Sequence, residues 1–280
     1  MHLLAILTVI VIAWSIRCQP ILNDAPWSER WYKALFRLLF PALLILSTAI
    51  AVLYMGCHGV MLGIRAGSWG CGLAGGLILF AVCCLMRLSY QSYKSIANLA
   101  TYPKRLVADK IARLIDLEVP YSAQIGFWRP QLVLSTGLLA SLDEEHLKAV
   151  LAHEQAHLHY RDTFWFFWLG WMRSFTCWLP NTETLWQELL LLRELRADGR
   201  AAGEVDFLLL AESLLTVTQA PFKSNVALSA NFNDCNIGDR LNERINSLLE
   251  EKAFDSNRHW QNLSWVWLLC LPLLTTLLHY

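Results

Sequence analysis

Five consecutive residues, His153-Glu154-Gln155-Ala156-His157, carry the residue types that hydrolytic metal sites use. On an α-helix, residues four apart share one face, so both imidazoles can reach the same point, with Glu154 beside it. Neutral imidazoles are common zinc ligands, and a nearby carboxylate can take a proton from water. The pattern therefore predicts a zinc ion held by His153, His157 and one further protein ligand, with Glu154 as the catalytic base.

The flanks of this pentapeptide favour a metal site over a chance pattern. Ser141-Leu142-Asp143-Glu144 is a capping-box pattern that predicts a helix start near Ser141. Apolar residues then cover most of the helix: Leu147, Val150, Leu151, Ala152 and Leu158. Polar groups in so apolar a helix are costly unless they are paired or bound to metal. The alternative, two histidines on a solvent face, fits these flanks less well.

Four acidic residues downstream are candidates for the third ligand: Glu183, Glu188, Glu194 and Asp198. Glu194 and Asp198 lie four positions apart on a predicted helix from Thr184 to about Ala202. One of these two carboxylates can bind the metal while the other accepts the spare ring N–H of a ligating histidine. The alternative is that both are surface charges paired with the neighbouring arginines.

The composition predicts a membrane protein. Hydrophobic residues make up 55% of the chain and charged residues 16%, and the balance of 23 basic and 23 acidic residues gives no electrostatic case for binding nucleic acid. Four apolar stretches are long enough, or nearly so, to cross a bilayer, at 3–16, 38–57, 66–86 and 263–280. We therefore expect an N-terminal membrane region over 1–86, a domain that carries the His cluster over 87–262 and a C-terminal transmembrane helix over 263–280.

Basic residues beside the predicted spans set the expected orientation. One side of the membrane would hold Arg17, Arg30, Lys33, Arg37, Arg87, Lys94, Lys104 and Arg105. The opposite side would hold only Arg65. The positive-inside rule then places the N-terminus outside and residues 87–262 in the cytoplasm. The eight cysteines show no spacing typical of a disulfide framework or a cysteine zinc site.

The region around the His cluster contains both helix and strand signals. Residues 87–118 predict a polar, basic helix that Pro103 can interrupt, and 122–128 and 131–135 predict short strands. An edge strand just before a metal helix can pair with an extended peptide, although a plain packing hairpin is an equal alternative. The aromatic stretch 163–180 cannot be a lone crossing, because the helices on either side of it must reach the same metal.

The paired motifs resemble those of the membrane-embedded gluzincin metallopeptidases. These include the BlaR/MecR antirepressor group and the HtpX and CAAX-protease (Ste-type) group. The 36 residues between His157 and Glu194 and the predicted topology are more similar to the BlaR/MecR group, and so is the segment 239–249. The resemblance implies a mainly α membrane protein, with about four transmembrane helices and a cytoplasmic α+β gluzincin zinc-protease domain that carries a small β-hairpin or sheet.

The resemblance also implies an activity and a set of roles. One Zn²⁺ per chain would be bound by His153, His157 and Glu194, and Asp198 would orient a ligand histidine. The protein would then be an endopeptidase of a bacterial plasma membrane, acting on protein or peptide substrates on the cytoplasmic side. The alternative is an antirepressor protease that cleaves a cytoplasmic repressor. BlaR/MecR sensors continue into an extracellular penicillin-binding domain, whereas this chain ends at Tyr280, so we do not expect β-lactam sensing.

Overall fold

The computed structural model describes residues 2–20, 25–57, 60–61, 64–65, 68–223, 234–249, 263–274 and 276. Helices dominate this part of the chain. They are α1 (His2–Arg17), α2 (Trp27–Met55), α3 (Ser68–Ala100), α4 (Thr136–Ser141), α5 (Glu144–His159), α6 (Asp162–Phe175), α7 (Thr182–Ala201), α8 (Phe207–Lys223), α9 (Asp234–Leu249) and α10 (Leu271–Leu274), the last preceded by a 3₁₀ helix, Leu263–Cys270.

The strands are short and form two sheets. They are β1 (Val60–Met61), β2 (Ile64–Arg65), β3 (Lys104–Val107), β4 (Lys110–Ile115), β5 (Ser122–Ile125) and β6 (Gln131–Ser135). The first two strands form an antiparallel ribbon. The other four form a mixed sheet in the order β3-β4-β6-β5, in which only the β4–β6 pair is parallel. The expected mainly helical architecture with a small sheet is therefore confirmed.

Two helices are long and apolar enough to cross a membrane, α2 with 29 residues and α3 with 33. Helix α2 covers residues 38–55 of the predicted span 38–57 and begins earlier, and α3 covers residues 68–86 of the predicted span 66–86 and ends later. Residues 66–67 lie outside the described residues. The predicted spans 3–16 and 263–280 correspond to shorter apolar helices, His2–Arg17 and Trp265–Leu274, within the described residues. Residues 275 and 277–280 of the last predicted span lie outside the described residues. So do residues 251–262, which end at the expected boundary between the second region and the last span.

The chain divides into two compact units. The first contains Met1–Ser89, Trp168–Leu190 and Ser256–Tyr280, and the second contains Tyr90–Phe167 and Leu191–Asp255. In the first unit, Arg17 is fully buried and donates hydrogen bonds to the hydroxyls of Thr176 and Thr182 at 2.9 and 2.8 Å. Asn181 donates in turn to the Arg17 carbonyl oxygen at 2.8 Å, so the end of α1 is fastened to the start of α7.

In the second unit, the mixed sheet packs against α5. Apolar side chains of β4 and β6 form one buried cluster with Leu138, Val150 and Leu151. The opposite side of α5 packs on α8 and α9 through a second cluster that includes Ala149, Ala152, Leu210 and Leu248. The helix that carries the two histidines is therefore held between a sheet and two helices. Strand β5 lies at an edge of the sheet.

Two sequence predictions about these elements are wrong in part. The helix predicted over 87–118 ends at Ala100, because Pro103 follows and the chain turns back at Ala108 and Asp109, whose φ angles of 44° and 63° suit a two-residue hairpin turn between β3 and β4. The metal helix begins at Glu144 rather than near Ser141. Its N-cap is Asp143, whose carboxylate accepts a hydrogen bond from the backbone N–H of His146, and Ser141 ends α4 instead.

Candidate metal centre

Helix α5 directs both histidines of the H-E-x-x-H pattern at one point. His153 and Glu154 are buried, and His157 is nearly so. The Nε2 atoms of His153 and His157 lie 3.0 Å apart, as expected for residues one helical turn apart on the same face. Two imidazole nitrogens at this distance can both bind the same cation.

Glu194 of α7 completes this cluster. Its Oε2 lies 3.3 Å from Nε2 of His153, and its Oε1 lies 3.7 Å from Nε2 of His157. One ligand atom from each of the three residues falls within 4.8 Å of the others. In a tetrahedral site with metal bonds of about 2.1 Å, ligand atoms are about 3.4 Å apart, so this spacing fits a zinc ion.

The opposite nitrogens of the two imidazoles face carboxylates. Nδ1 of His153 lies 2.8 Å from Oδ1 of Asp198, and Nδ1 of His157 lies 2.7 Å from Oδ2 of Asp162. The Asp162 carboxylate accepts a hydrogen bond from Nδ1 of His157 and leaves the Nε2 lone pair free, which is how metal-binding histidines are oriented. Asp198 faces Nδ1 of His153 at ion-pair distance, although this nitrogen has no hydrogen-bond partner among the described residues. The ligand atoms and the carboxylates behind the two imidazole rings therefore both fit a resident zinc ion.

Each of three carboxylates around this point has an arginine partner. Arg193 contacts Glu194 at 2.7 Å, and Arg244 contacts Asp198 at 2.7 Å. Arg196 forms an ion pair with Asp162. These pairs offset the repulsion that several buried carboxylates would otherwise impose on one another. The centre is held in place by charges from α6, α7 and α9 around the histidines of α5.

Glu154 has a different environment. Its Oε1 accepts a hydrogen bond from the hydroxyl of Ser122 on β5 at 2.7 Å. Its Oε2 is buried and has no hydrogen-bond partner among the residues that the structure describes. No ion pair to Glu154 is found in that part of the chain. One oxygen of Glu154 is thus fixed and the other is free to exchange a proton, which suits a base better than a structural role.

The charges shift the titration of the cluster. Burial lowers the pKa of His153, but the carboxylates of Asp198 and Glu194 outweigh burial and raise that pKa to about 9. Burial raises the pKa of Glu194, but Arg193 and the two histidines outweigh it and hold that pKa well below the usual range. The metal-free cluster therefore keeps Glu194 ionised and favours a proton on His153 that a metal ion would have to displace.

An open cavity of about 420 Å³ leads to the three ligand candidates. Residues 121–125, which include all of β5, form one of its walls, and residues of α5, α7, α8 and α9 form the others. An edge strand beside a cleft can add a peptide strand through its outward main-chain groups. The cavity can thus admit an extended segment of polypeptide to the point between the histidines.

The other two candidates for the third ligand lie elsewhere. Glu183 forms an ion pair with Arg173 at 2.7 Å, and Glu188 forms one with Arg30 at 2.7 Å. Of the four candidates, the pair at i and i+4, Glu194 and Asp198, is the one that lies beside the histidines. Sequence reasoning gave no site role to Asp162, Ser122, Arg196 or Arg244, because their contacts depend on how separate elements pack. Only Asp162, five positions after His157, could have been suspected from its spacing.

The region that holds this centre is similar to one known peptidase family. Residues 104–222 match the model of peptidase family M48, and this range contains His153, Glu154, His157, Glu194 and Asp198. Over these residues the chain is therefore similar to a family of metallopeptidases. No curated protein matches the chain at a significant level.

Proposed function

We propose that this protein is an integral-membrane, zinc-dependent endopeptidase. The observation that carries the proposal is the convergence of His153, His157 and Glu194, whose ligand atoms lie within 4.8 Å of one another beside a buried glutamate with one free oxygen. The match to peptidase family M48 over the same residues supports the reaction class. Peptide bonds of protein substrates would be hydrolysed in the cavity beside β5.

The proposed roles follow from the contacts of each residue. His153, His157 and Glu194 would hold one zinc ion per chain, which, when bound, supplies a Lewis acid for the scissile carbonyl and for water. Glu154 would take a proton from the attacking water on Oε2 and pass it to the leaving nitrogen, while Ser122 holds its other oxygen. Asp198 would orient the ring of His153.

Strand β5 would position the substrate. Because β5 is at the edge of the sheet and borders the cavity, an extended peptide can pair with it through main-chain hydrogen bonds. Main-chain pairing is indifferent to side-chain identity, so it suits an endopeptidase that accepts more than one sequence. Side-chain preference would come from the cavity walls.

The proposal places the enzyme in a bacterial plasma membrane, with about four spans and the metal centre on the cytoplasmic side. Two long apolar helices support membrane association. The excess of Lys and Arg on one side of the predicted spans supports a cytoplasmic domain over 87–262 with a C-terminal span over 263–280. Fusing a reporter that is active only outside the cytoplasm to the N-terminus and to the 57–65 loop tests this topology.

The mechanism is tested by Glu154→Gln in the full-length protein. The amide keeps the size of the side chain but cannot accept the proton, so the variant should retain one zinc ion per chain and lose proteolysis of an unfolded protein substrate by at least about 100-fold. Zinc content is measured by elemental analysis and cleavage by gel. A variant that cleaves as fast as the wild type would show that Glu154 is not the base.

A second candidate is an antirepressor protease that cleaves one cytoplasmic repressor. The separation of 36 residues between His157 and Glu194, which resembles that of the BlaR/MecR group, favours it. Comparing the proteomes of cells that carry wild type or Glu154→Gln distinguishes the two functions. Stabilisation of a single DNA-binding protein supports the antirepressor, and stabilisation of many membrane proteins supports a broader endopeptidase.

A further inference from the structure

One arginine outside the region matched to the peptidase family reaches the metal centre. Arg244 lies on α9, and its side chain is only 12% exposed. Its Nε donates to Oδ2 of Asp198 at 2.7 Å, and its Nη2 donates to Oδ1 of the same carboxylate at 2.8 Å. Its remaining nitrogen, Nη1, lies 3.7 Å from Oε2 of Glu194. A single guanidinium thus contacts both carboxylates that border His153.

The two parallel hydrogen bonds fix the plane of the Asp198 carboxylate. The terminal torsion of an aspartate is otherwise broad, so a carboxylate with no such fork could rotate. The fixed plane holds Oδ1 in an ion-pair contact 2.8 Å from Nδ1 of His153. The direction in which Nε2 of His153 points, toward Glu194 and His157, therefore depends on a contact made by α9.

The same arginine separates two like charges. Asp198 and Glu194 lie one turn apart on α7, where carboxylates repel each other. Both are buried or nearly so beside His153, and the guanidinium of Arg244 contacts each of them. Without this cation, the two carboxylates would move apart or take up protons, and the ligand set would lose its spacing.

We propose that Arg244 is a positioning residue of the metal centre, which sets the orientation of His153 through Asp198 and the placement of Glu194 directly. The inference rests on the proposed zinc site and adds α9 to the elements that build it. Arg244 need not touch the metal or the substrate to act in this way. Its contribution is geometric, and this distinguishes it from a simple effect of charge.

Charge and geometry predict opposite results for this residue. If only charge mattered, removing a cation near a divalent metal would tighten zinc binding, and a lysine would behave like the native arginine. If geometry matters, both substitutions weaken zinc binding, because lysine keeps the charge but lacks the planar fork. The effect of lysine is therefore the decisive comparison.

The experiment uses the full-length protein in detergent, freed of metal and titrated with zinc against a chromophoric chelator. Arg244→Gln and Arg244→Lys are compared with wild type. Arg240→Gln on the same helix is the matched control, since within the described residues the ion pairs from α9 to Glu194 and Asp198 come from Arg244 and not from Arg240. We expect zinc Kd to rise about 10- to 100-fold in both Arg244 variants, as for other residues that support metal ligands, and less than about twofold in the control. The visible spectrum of the cobalt-substituted protein should change in the Arg244 variants alone.

A double-mutant cycle tests the route of action. In an Asp198→Asn background, Arg244→Gln should weaken zinc binding by far less than it does in the wild type, because the carboxylate that it orients is gone. Helix content, measured by circular dichroism, checks that each variant is folded. If Arg244→Gln does not fold, Arg244→Lys takes its place in the comparison. Wild-type zinc affinity in Arg244→Lys, or full additivity in the cycle, overturns the inference while the proposed function stands. A wild-type protein that binds no zinc overturns both.

Discussion

Asp162 provides the sharpest test of the centre, because its carboxylate contacts both His157 and Arg196. Its Oδ2 accepts a hydrogen bond from Nδ1 of His157 at 2.7 Å. Replacing Asp162 by Asn keeps an acceptor at this place but removes its charge. Replacing it by Ala removes both.

The expected magnitude follows from this contact. A hydrogen bond to a charged group contributes about 1.5–3 kcal/mol, and a neutral one about half as much. Asp162→Asn should therefore cost about 1 kcal/mol of zinc binding, which is about fivefold in Kd. Asp162→Ala should cost up to about 100-fold, since it also leaves the buried side chain of Arg196 without this carboxylate.

The assay is the same chelator competition, carried out on metal-free protein. Glu183→Gln is the control, because this carboxylate pairs with Arg173 at an exposed position and has no contact with the histidines in the described part of the chain. A graded loss, Ala larger than Asn and the control unchanged, supports the assignment. Zinc affinities of both Asp162 variants within twofold of wild type would refute the idea that this carboxylate orients a ligand.

The remaining predictions concern the third ligand, pH and packing. Glu194→Gln should lose stoichiometric zinc in elemental analysis. Glu188→Gln should keep its zinc but have lower thermal stability, because it loses a half-buried ion pair with Arg30. The reverse pattern would make Glu188 the zinc ligand. Because the pKa of His153 is raised to about 9, zinc must displace a proton from this residue at neutral pH. Zinc affinity should therefore rise at least about tenfold per pH unit between pH 6.5 and 8. A zinc affinity that does not change with pH in the chelator competition would contradict this. Gly137→Ala should destabilise the protein by about 1–3 kcal/mol or more in thermal denaturation, because the new Cβ would lie 1.9 Å from a backbone oxygen. Gly75→Ala should not destabilise it, because no atom lies within 4 Å of the new Cβ. Equal melting temperatures for the two variants would contradict this packing.

Local patterns were sufficient to predict the inner part of the centre. The spacing of His153 and His157 within one helix, and of Glu194 and Asp198 within another, is set by helix geometry alone. The predicted strand 131–135 has the bounds of β6, and the predicted strand 122–128 corresponds to β5, which ends earlier, at Ile125. Sequence reasoning succeeded wherever the partners lie on one element.

The outer part depended on tertiary packing. Ser122 reaches Glu154 from a strand 32 residues away, and Arg244 reaches Asp198 from a helix 46 residues away. No spacing rule links such positions, because the loops between them do not fix distance. The β3–β4 hairpin was mistaken for helix for a related reason, since its basic residues fit an amphipathic helix as well as an exposed strand and only the turn at Ala108 reveals the reversal.

The short connection between α5 and α6 makes the centre sensitive to chain length at one place. Only Tyr160 and Arg161 separate the two helices, and Arg161 adopts a left-handed φ of 54° that brings Asp162 back beside His157. Glycine would adopt this conformation more readily than arginine, so the identity of residue 161 can vary. The number of residues in the connection cannot vary, because one inserted residue would rotate the start of α6 by about 100° relative to His157. Related chains that keep this centre should therefore differ freely in composition at 160–161 and conserve the two-residue length.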